Sequence, residues 1–220
     1  PEGPTCSEKA FKYPHPPECG EARPCVWATC HDDLGFIAAM LDELEATLCV
    51  DLDRVYATGM SNGAMFVHRL GCAMPERLAA IAPVSGTLAR GFNCAPGEAT
   101  PLSLMNIYGS EDRYVDLDNP MSSDGFYYTS AKAVMSKWAD SESQSCTSSP
   151  IPYATSQDGV LDLQCVEYPD CATGVEVVNC TWKGGHNWPK DGEHDFGNQI
   201  IWEFFSRHSR ADYRVAEESN

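Results

Sequence analysis

The sequence predicts a disulfide-rich α/β fold with a mostly parallel sheet flanked by helices, and three observations carry that expectation. Leu78 to Val84 and Pro101 to Tyr108 are nearly continuous apolar runs of strand length, the pattern of strands covered on both faces. Segments of helical periodicity lie between the strand-like runs, the alternation that builds a parallel sheet. Val55 to Met65 passes from a β-branched and aromatic run through Gly59-Met60-Ser61-Asn62-Gly63 into a helical segment, which is the order of a nucleophile elbow.

Taken in order, residues 1–31 form a proline- and cysteine-rich arm. Pro14, Pro16, Pro17 and Pro24 stand among Cys6, Cys19, Cys25 and Cys30, and prolines this dense defeat both helix and central strand. Residues 32–208 read as the α/β unit. Leu34, Ile37, Leu41, Leu44 and Leu48 recur at helical spacing behind Asp32 or Asp33 as cap, so this helix is expected to lay one face on the sheet. Val55 to Thr58 is the strand before the elbow. Asn62 to Cys72 is the helix after it, stopped near Met74-Pro75.

Beyond the two buried strands, a polar loop after Asp112 leads to a helix over about Thr129 to Ala139. Strands are expected around Ile151 to Thr155, Val160 to Glu167 and Val175 to Thr181, and an amphipathic helix over Ile200 to Arg207. Residues 209–220 are polar and read as a frayed tail. No internal repeat is present.

Composition narrows the function classes. The chain has 220 residues, 43% of them hydrophobic, and five tryptophans, enough for a sizeable core. Its 32 acidic and 15 basic side chains give a net charge of -17, which disfavours nucleic acid and anionic membranes as partners. No apolar run approaches the roughly 18 residues of a membrane span. The residues from Pro1 onward do not resemble a signal peptide, so the chain reads as a processed or cut product. Eleven cysteines without paired C-x-x-C spacing point to disulfides in an oxidising, extracellular setting, and the odd count leaves at least one thiol unpaired or joined to another chain. Asn179-Cys180-Thr181 is an N-glycosylation sequon, in keeping with secretion.

The chemistry starts at Ser61. A serine hydroxyl attacks well only when a base removes its proton, and the base needs a carboxylate to orient it. Asp112 follows the apolar strand ending at Tyr108, and His186 occupies Gly184-Gly185-His186, directly after the strand ending near Thr181. The chain order of serine, acid and histidine is the one expected when each sits on a loop at the carboxyl end of a strand. Glu111 and Asp116 are rivals for the acid. Among six histidines, His15, His31, His68, His194 and His208 lie in the arm, before a helix, within a helix, in a charged loop and near a helix end, which leaves His186 as the base. Trp188 either lines the substrate cleft or anchors its loop, and Tyr127 and Tyr128 either add an aromatic wall or start a helix against the core. A metal site at Asp191, Glu193, His194 and Asp195 is the weaker reading of a charged loop, so neither metal nor cofactor is expected.

These segments resemble the secreted esterase and polyhydroxybutyrate depolymerase family of α/β-hydrolases, which includes feruloyl and acetyl xylan esterases. The resemblance rests on Asp32 to Ile37, Arg54 to Met65, Ile81 to Thr87, Tyr108 to Asp112 and Gly184 to Pro189. At Tyr108 to Asp112 the family usually has a histidine-glycine pair before the acid, which this chain lacks. The resemblance implies Ser61 as nucleophile, Asp112 as orienting acid, His186 as base, and a carboxylic ester substrate, carbohydrate-linked or polymeric.

The family also carries its first strands and a histidine-glycine oxyanion loop ahead of the segment matching Asp32, and residues 1–31 do not resemble them. The expectation is therefore a partial α/β-hydrolase fold with one assignable oxyanion donor, the backbone N–H of Asn62. Losing the other donor costs about 3 to 4 kcal/mol of transition-state stabilisation. It also leaves the elbow strand as an edge, expected to be covered by the arm, a second copy or a companion N-terminal fragment. The alternative is a scaffold with the triad but weak or no turnover, serving in extracellular binding or structure.

Overall fold

The computed structural model describes residues 6–10, 12, 16–20, 30–88, 100–115, 122–147 and 149–212. The expectations on Pro14, His15, Pro24, Cys25, Asp116 and the tail from residue 213 lie outside them.

Six strands make one sheet: β1 (Tyr56–Met60), β2 (Ala80–Val84), β3 (Ser103–Gly109), β4 (Ile151–Tyr153), β5 (Gln164–Tyr168) and β6 (Val177–Trp182), in the order β1-β2-β3-β6-β5-β4. β1, β2, β3 and β6 run parallel, while β5 and β4 add to β6 antiparallel. β2 and β3 are buried at every position, as their unbroken apolar runs require. Where one strand was expected over Val160 to Glu167, a 3-10 turn at Val160–Asp162 precedes β5, because Leu161 and Asp162 take left-handed backbone angles that break a strand.

The helices are α1 (Asp33–Thr47), α2 (Asn62–Ala73), α3 (Ala131–Ala139) and α4 (Phe196–Phe205). Alternation along the strands sends Ile81, Leu104 and Val177 to one face, where they pack with Val67 and Leu70 of α2 and Val134 and Trp138 of α3. Ala82, Met105, Val178 and Cys180 face the other way and pack with Phe196, Ile200 and Phe204 of α4. Among the described residues no helix is long and apolar enough to cross a membrane.

α1 begins as expected, with the Asp32 carboxylate accepting from Gly35 N–H at 2.9 Å. Its packing is shallower than its periodicity suggests. Leu34, Ile37 and Leu41 are half-buried against the core, but Phe36 is 66% exposed and no residue of the helix is fully buried. Among the described residues β1 is the last strand on its side, which leaves less sheet for the helix to cover. Arg77 holds the helix by ion pairs to Asp42 and Glu45 at 3.0 and 2.8 Å.

That edge was expected to be covered. Among the described residues β1 pairs with β2 alone, while Cys6 of the arm bridges Phe126 and packs beside Tyr128. Cys19–Cys30, Cys146–Cys171 and Cys165–Cys180 are disulfides, Cys6 and Cys72 are also disulfide-bonded, and Cys49 is free and exposed. At the start of the tail Arg210 N–H donates to the Asp53 carbonyl at 2.9 Å.

Candidate active site

Ser61 sits at the turn from β1 into α2, with φ 57° and ψ -118°. A non-glycine residue in that region is strained, and the turn is pinned by Ser61 N–H donating to the Val84 carbonyl at 2.9 Å. The two glycines of the elbow are constrained unequally. A Cβ on Gly59 would meet the Gly63 carbonyl carbon at 2.9 Å, whereas one on Gly63 would meet nothing within 4 Å. Where the helix passes close over the strand, Gly59 is the residue constrained.

Asp112 is 5% exposed and lies on the loop leaving β3. Its Oδ1 accepts from the N–H groups of Tyr114 at 2.8 Å and Val115 at 2.9 Å, which fixes the carboxylate against rotation. Its Oδ2 lies 2.7 Å from His186 Nδ1. The loops carrying acid and histidine are laced together, since Ser110 N–H donates to the Trp182 carbonyl and Glu111 N–H to the Gly184 carbonyl, both at 2.8 Å. His186 Nε2 lies 2.7 Å from Ser61 Oγ. Residues from three parallel strands thus meet at one end of the sheet.

An imidazole so placed, with Nδ1 donating to the buried carboxylate, presents Nε2 as an acceptor for the serine proton. Asn62 N–H opens α2, among the amides that a helix start leaves without an intrahelical partner and where the helix dipole favours an anion. That is the chemistry of proton abstraction from Ser61 next to a site for developing negative charge.

The rival residues are placed elsewhere or engaged otherwise. Glu111 is exposed, His31 lies 3.5 Å from Glu18, and His208 lies 3.6 Å from Glu176. His68 is fully buried, its Nδ1 accepting from Trp138 Nε1 at 3.1 Å. Trp188 donates through Nε1 to Asp195 Oδ1 at 2.9 Å, and Asp195 caps α4 by accepting from Asn198 N–H at 2.9 Å, so the indole ties the histidine loop to that helix. The Asp191 to Asp195 loop is closed by reciprocal backbone bonds between Asp191 and His194. Tyr128 packs with Phe126 and Cys6. Asn179 lies within β6 between β3 and β5, half-buried, and its Oδ1 accepts from Asn106 Nδ2 at 3.3 Å. Cys180 of the same sequon is held in a disulfide, surroundings that suit a glycan poorly.

Two neighbours of the site were given no role by the sequence. Tyr114 lies with its ring centroid 5.1 Å from that of His186. Gly86, after β2, runs directly beneath the elbow. Both are through-space contacts between separate loops.

No family model matches the chain. It is 29% identical over 194 residues to feruloyl esterase B of Piromyces equi, covering 84% of this chain and 33% of that protein. It is 33% identical over 93 residues to feruloyl esterase C of Emericella nidulans, covering 42% of this chain and 33% of that protein. The chain therefore spans about a third of the length of these two relatives. Among solved structures, an acetyl xylan esterase from Aspergillus awamori superposes with TM-score 0.54 at 20% identity, covering 79% of this chain and 66% of that one. Native sOPH superposes with TM-score 0.51 at 15% identity, covering 83% and 54%. Both share the α/β fold.

Proposed function

We propose that this chain, a relative of esterases by sequence and an α/β protein by fold, is a secreted serine esterase whose unit of residues 32–208 carries the chemistry. The single observation supporting the reading most strongly is the unbroken relay from Asp112 Oδ2 through His186 to Ser61 Oγ, with both links at 2.7 Å. In it His186 takes the Ser61 proton as Oγ attacks the ester carbonyl. The oxyanion forms beside Asn62 N–H. Collapse expels the alcohol, which receives the proton from His186 Nε2, and leaves an acyl-serine. Water, deprotonated by His186, then attacks the acyl carbon and releases the acid. The substrates are carbohydrate-linked or polymeric carboxylic esters, a class suggested by the relatives named feruloyl and acetyl xylan esterase. Secretion is favoured by the disulfides, among them Cys146–Cys171 and Cys165–Cys180.

The test is labelling by a fluorophosphonate combined with hydrolysis of a short aryl ester. Adduct on Ser61 and turnover abolished by Ser61→Ala are expected. A native protein that turns over no ester and takes no label would end the proposal.

A second reading is favoured by one observation, the outer side of β1 that nothing pairs among the described residues. In it the scaffold keeps the relay, lacks a second oxyanion donor beside Asn62, and serves in extracellular binding through that edge to a second copy or a companion fragment. It predicts Ser61 labelling without turnover above background, and assembly detectable by light scattering.

A further inference from the structure

Tyr114 is 52% exposed, although its backbone is tied to the buried acid. Its N–H donates to Asp112 Oδ1 at 2.8 Å, and the next N–H, of the buried Val115, donates to the same oxygen at 2.9 Å. The carboxylate that orients His186 therefore also sets the place of the Tyr114 backbone. The ring lies 5.1 Å from the imidazole, tilted by 53°. An aromatic ring left half in water next to the half-buried His186 and the buried Asp112 is unusual placement for a packing residue, since burial would have been the stabilising choice.

The chemistry of the reaction says which part of a substrate this ring meets. His186 Nε2 must hand its proton to the departing alcohol oxygen, so that oxygen comes within about 3 Å of Nε2. Whatever group the oxygen carries lies near the imidazole, within reach of a ring centred 5.1 Å from it. A flat, exposed ring there offers apolar contact to the C–H face of a cyclic alcohol such as a sugar, while a methyl or ethyl group is too small to span it. Tyr114 makes none of the covalent steps and is not needed for proton transfer.

We infer that Tyr114 is a specificity-determining residue for the leaving group, a platform that favours esters of ring-bearing alcohols, of which sugars are the class, over esters of small alkyl alcohols. The inference rests on the esterase reading. Its test compares two acetyl esters that share an acyl group and differ in the alcohol: methyl acetate and 6-O-acetyl methyl glucoside. Tyr114→Ala should lower kcat/KM for the glucoside ester about tenfold, the ratio that about 1.4 kcal/mol of lost contact produces, chiefly through KM. Methyl acetate should change less than about twofold, within the spread of a surface substitution. Tyr114→Phe should keep the wild-type preference, because the ring and not the hydroxyl is the platform.

Equal loss on both esters would overturn the inference and make Tyr114 a shield of the Asp112–His186 pair. No loss on either would overturn it outright. Fluorophosphonate labelling of Ser61, run on all three proteins, separates the two failures. Labelled protein that does not discriminate between the alcohols sinks the platform alone, and unlabelled wild type with no turnover sinks the esterase reading and the platform with it.

Discussion

Gly86 supports Ser61 from below: a Cβ on residue 86 would stand 2.6 Å from the Ser61 carbonyl oxygen and 2.4 Å from Ala64 Cβ. The Gly86 carbonyl is itself fixed, accepting from the buried Tyr108 hydroxyl at 2.7 Å. The loop after β2 thus cannot retreat, and an added methyl must push the elbow upward. Gly86→Ala is expected to cost about 1 to 3 kcal/mol, the range for overpacking a tight contact. It should also slow fluorophosphonate labelling of Ser61. Thermal melting and labelling rates equal to wild type would show that the elbow is not held from this side.

Asp112→Asn tests the relay without removing its frame. The amide oxygen can still accept from Tyr114 and Val115 N–H, so the loop keeps its shape. The amide nitrogen would then face His186 Nδ1 and stabilise the wrong tautomer. On the proposed mechanism kcat falls by about 10⁴-fold, with KM nearly unchanged. Steady-state kinetics on an aryl ester decide it, and a loss below tenfold would remove Asp112 from its proposed role.

Much of this site was legible because its three residues each follow an apolar run of strand length. Ser61, Asp112 and His186 could be placed at strand ends from local pattern alone, and parallel pairing of β1, β2, β3 and β6 brings those ends together. What was not legible depends on contact across loops. Tyr114 gains its meaning only from the bend that returns its N–H to Asp112, and Gly86 only from passing under a helix that starts 24 positions earlier, at Asn62. The direction of β5 was equally hidden. Periodicity says that Gln164–Tyr168 is extended, but nothing local says that it runs antiparallel to β6. α1 shows the same limit, because an amphipathic repeat cannot reveal that, among the described residues, the sheet stops at β1.

Asp195 joins the histidine loop to α4. Its Oδ1 accepts from both Trp188 Nε1 and Asn198 N–H, and Oδ2 accepts from Asn198 Nδ2 at 2.7 Å. Asp195→Ala removes a helix cap together with the indole's partner, and should cost about 1 to 2 kcal/mol. With its carboxylate so engaged, chelation by EDTA should leave the melting temperature of the wild type unchanged. A drop on chelation would revive a metal in the Asp191 to Asp195 loop.

Cys49 follows α1 and is exposed, beside the exposed side chains of Leu48 and Val50. Iodoacetamide should alkylate it in the native protein without denaturant. Cys49→Ser should leave melting and Ser61 labelling as in wild type. A dimer on non-reducing gels that this substitution removes would assign the thiol to assembly and support the binding-scaffold reading.

His68 makes the fold acid-sensitive. Burial drives its pKa down to about 3, outweighing hydrogen bonds with the Asn106 side chain and the Gly86 backbone that favour the charged form. Trp138 Nε1 donates to Nδ1, so the ring is held neutral. In the unfolded chain the same histidine titrates near 6.5. Between these values the unfolded state binds the extra proton and the folded state does not, so stability falls as pH falls from about 6.5 toward 3. Glu176 adds a loss of the same sign at lower pH. Burial raises its carboxyl, but hydrogen bonds from His208 and Arg207 hold it at about 2, below an ordinary value of 4.5. The interval from pH 6 to pH 5 therefore isolates His68, where it should cost about 1 kcal/mol. His68→Gln, whose amide oxygen can still accept from Trp138, should flatten that slope even if the variant is less stable at every pH. Urea unfolding at the two pH values measures the slope directly, and an unchanged slope in the variant would place the acid sensitivity on other groups.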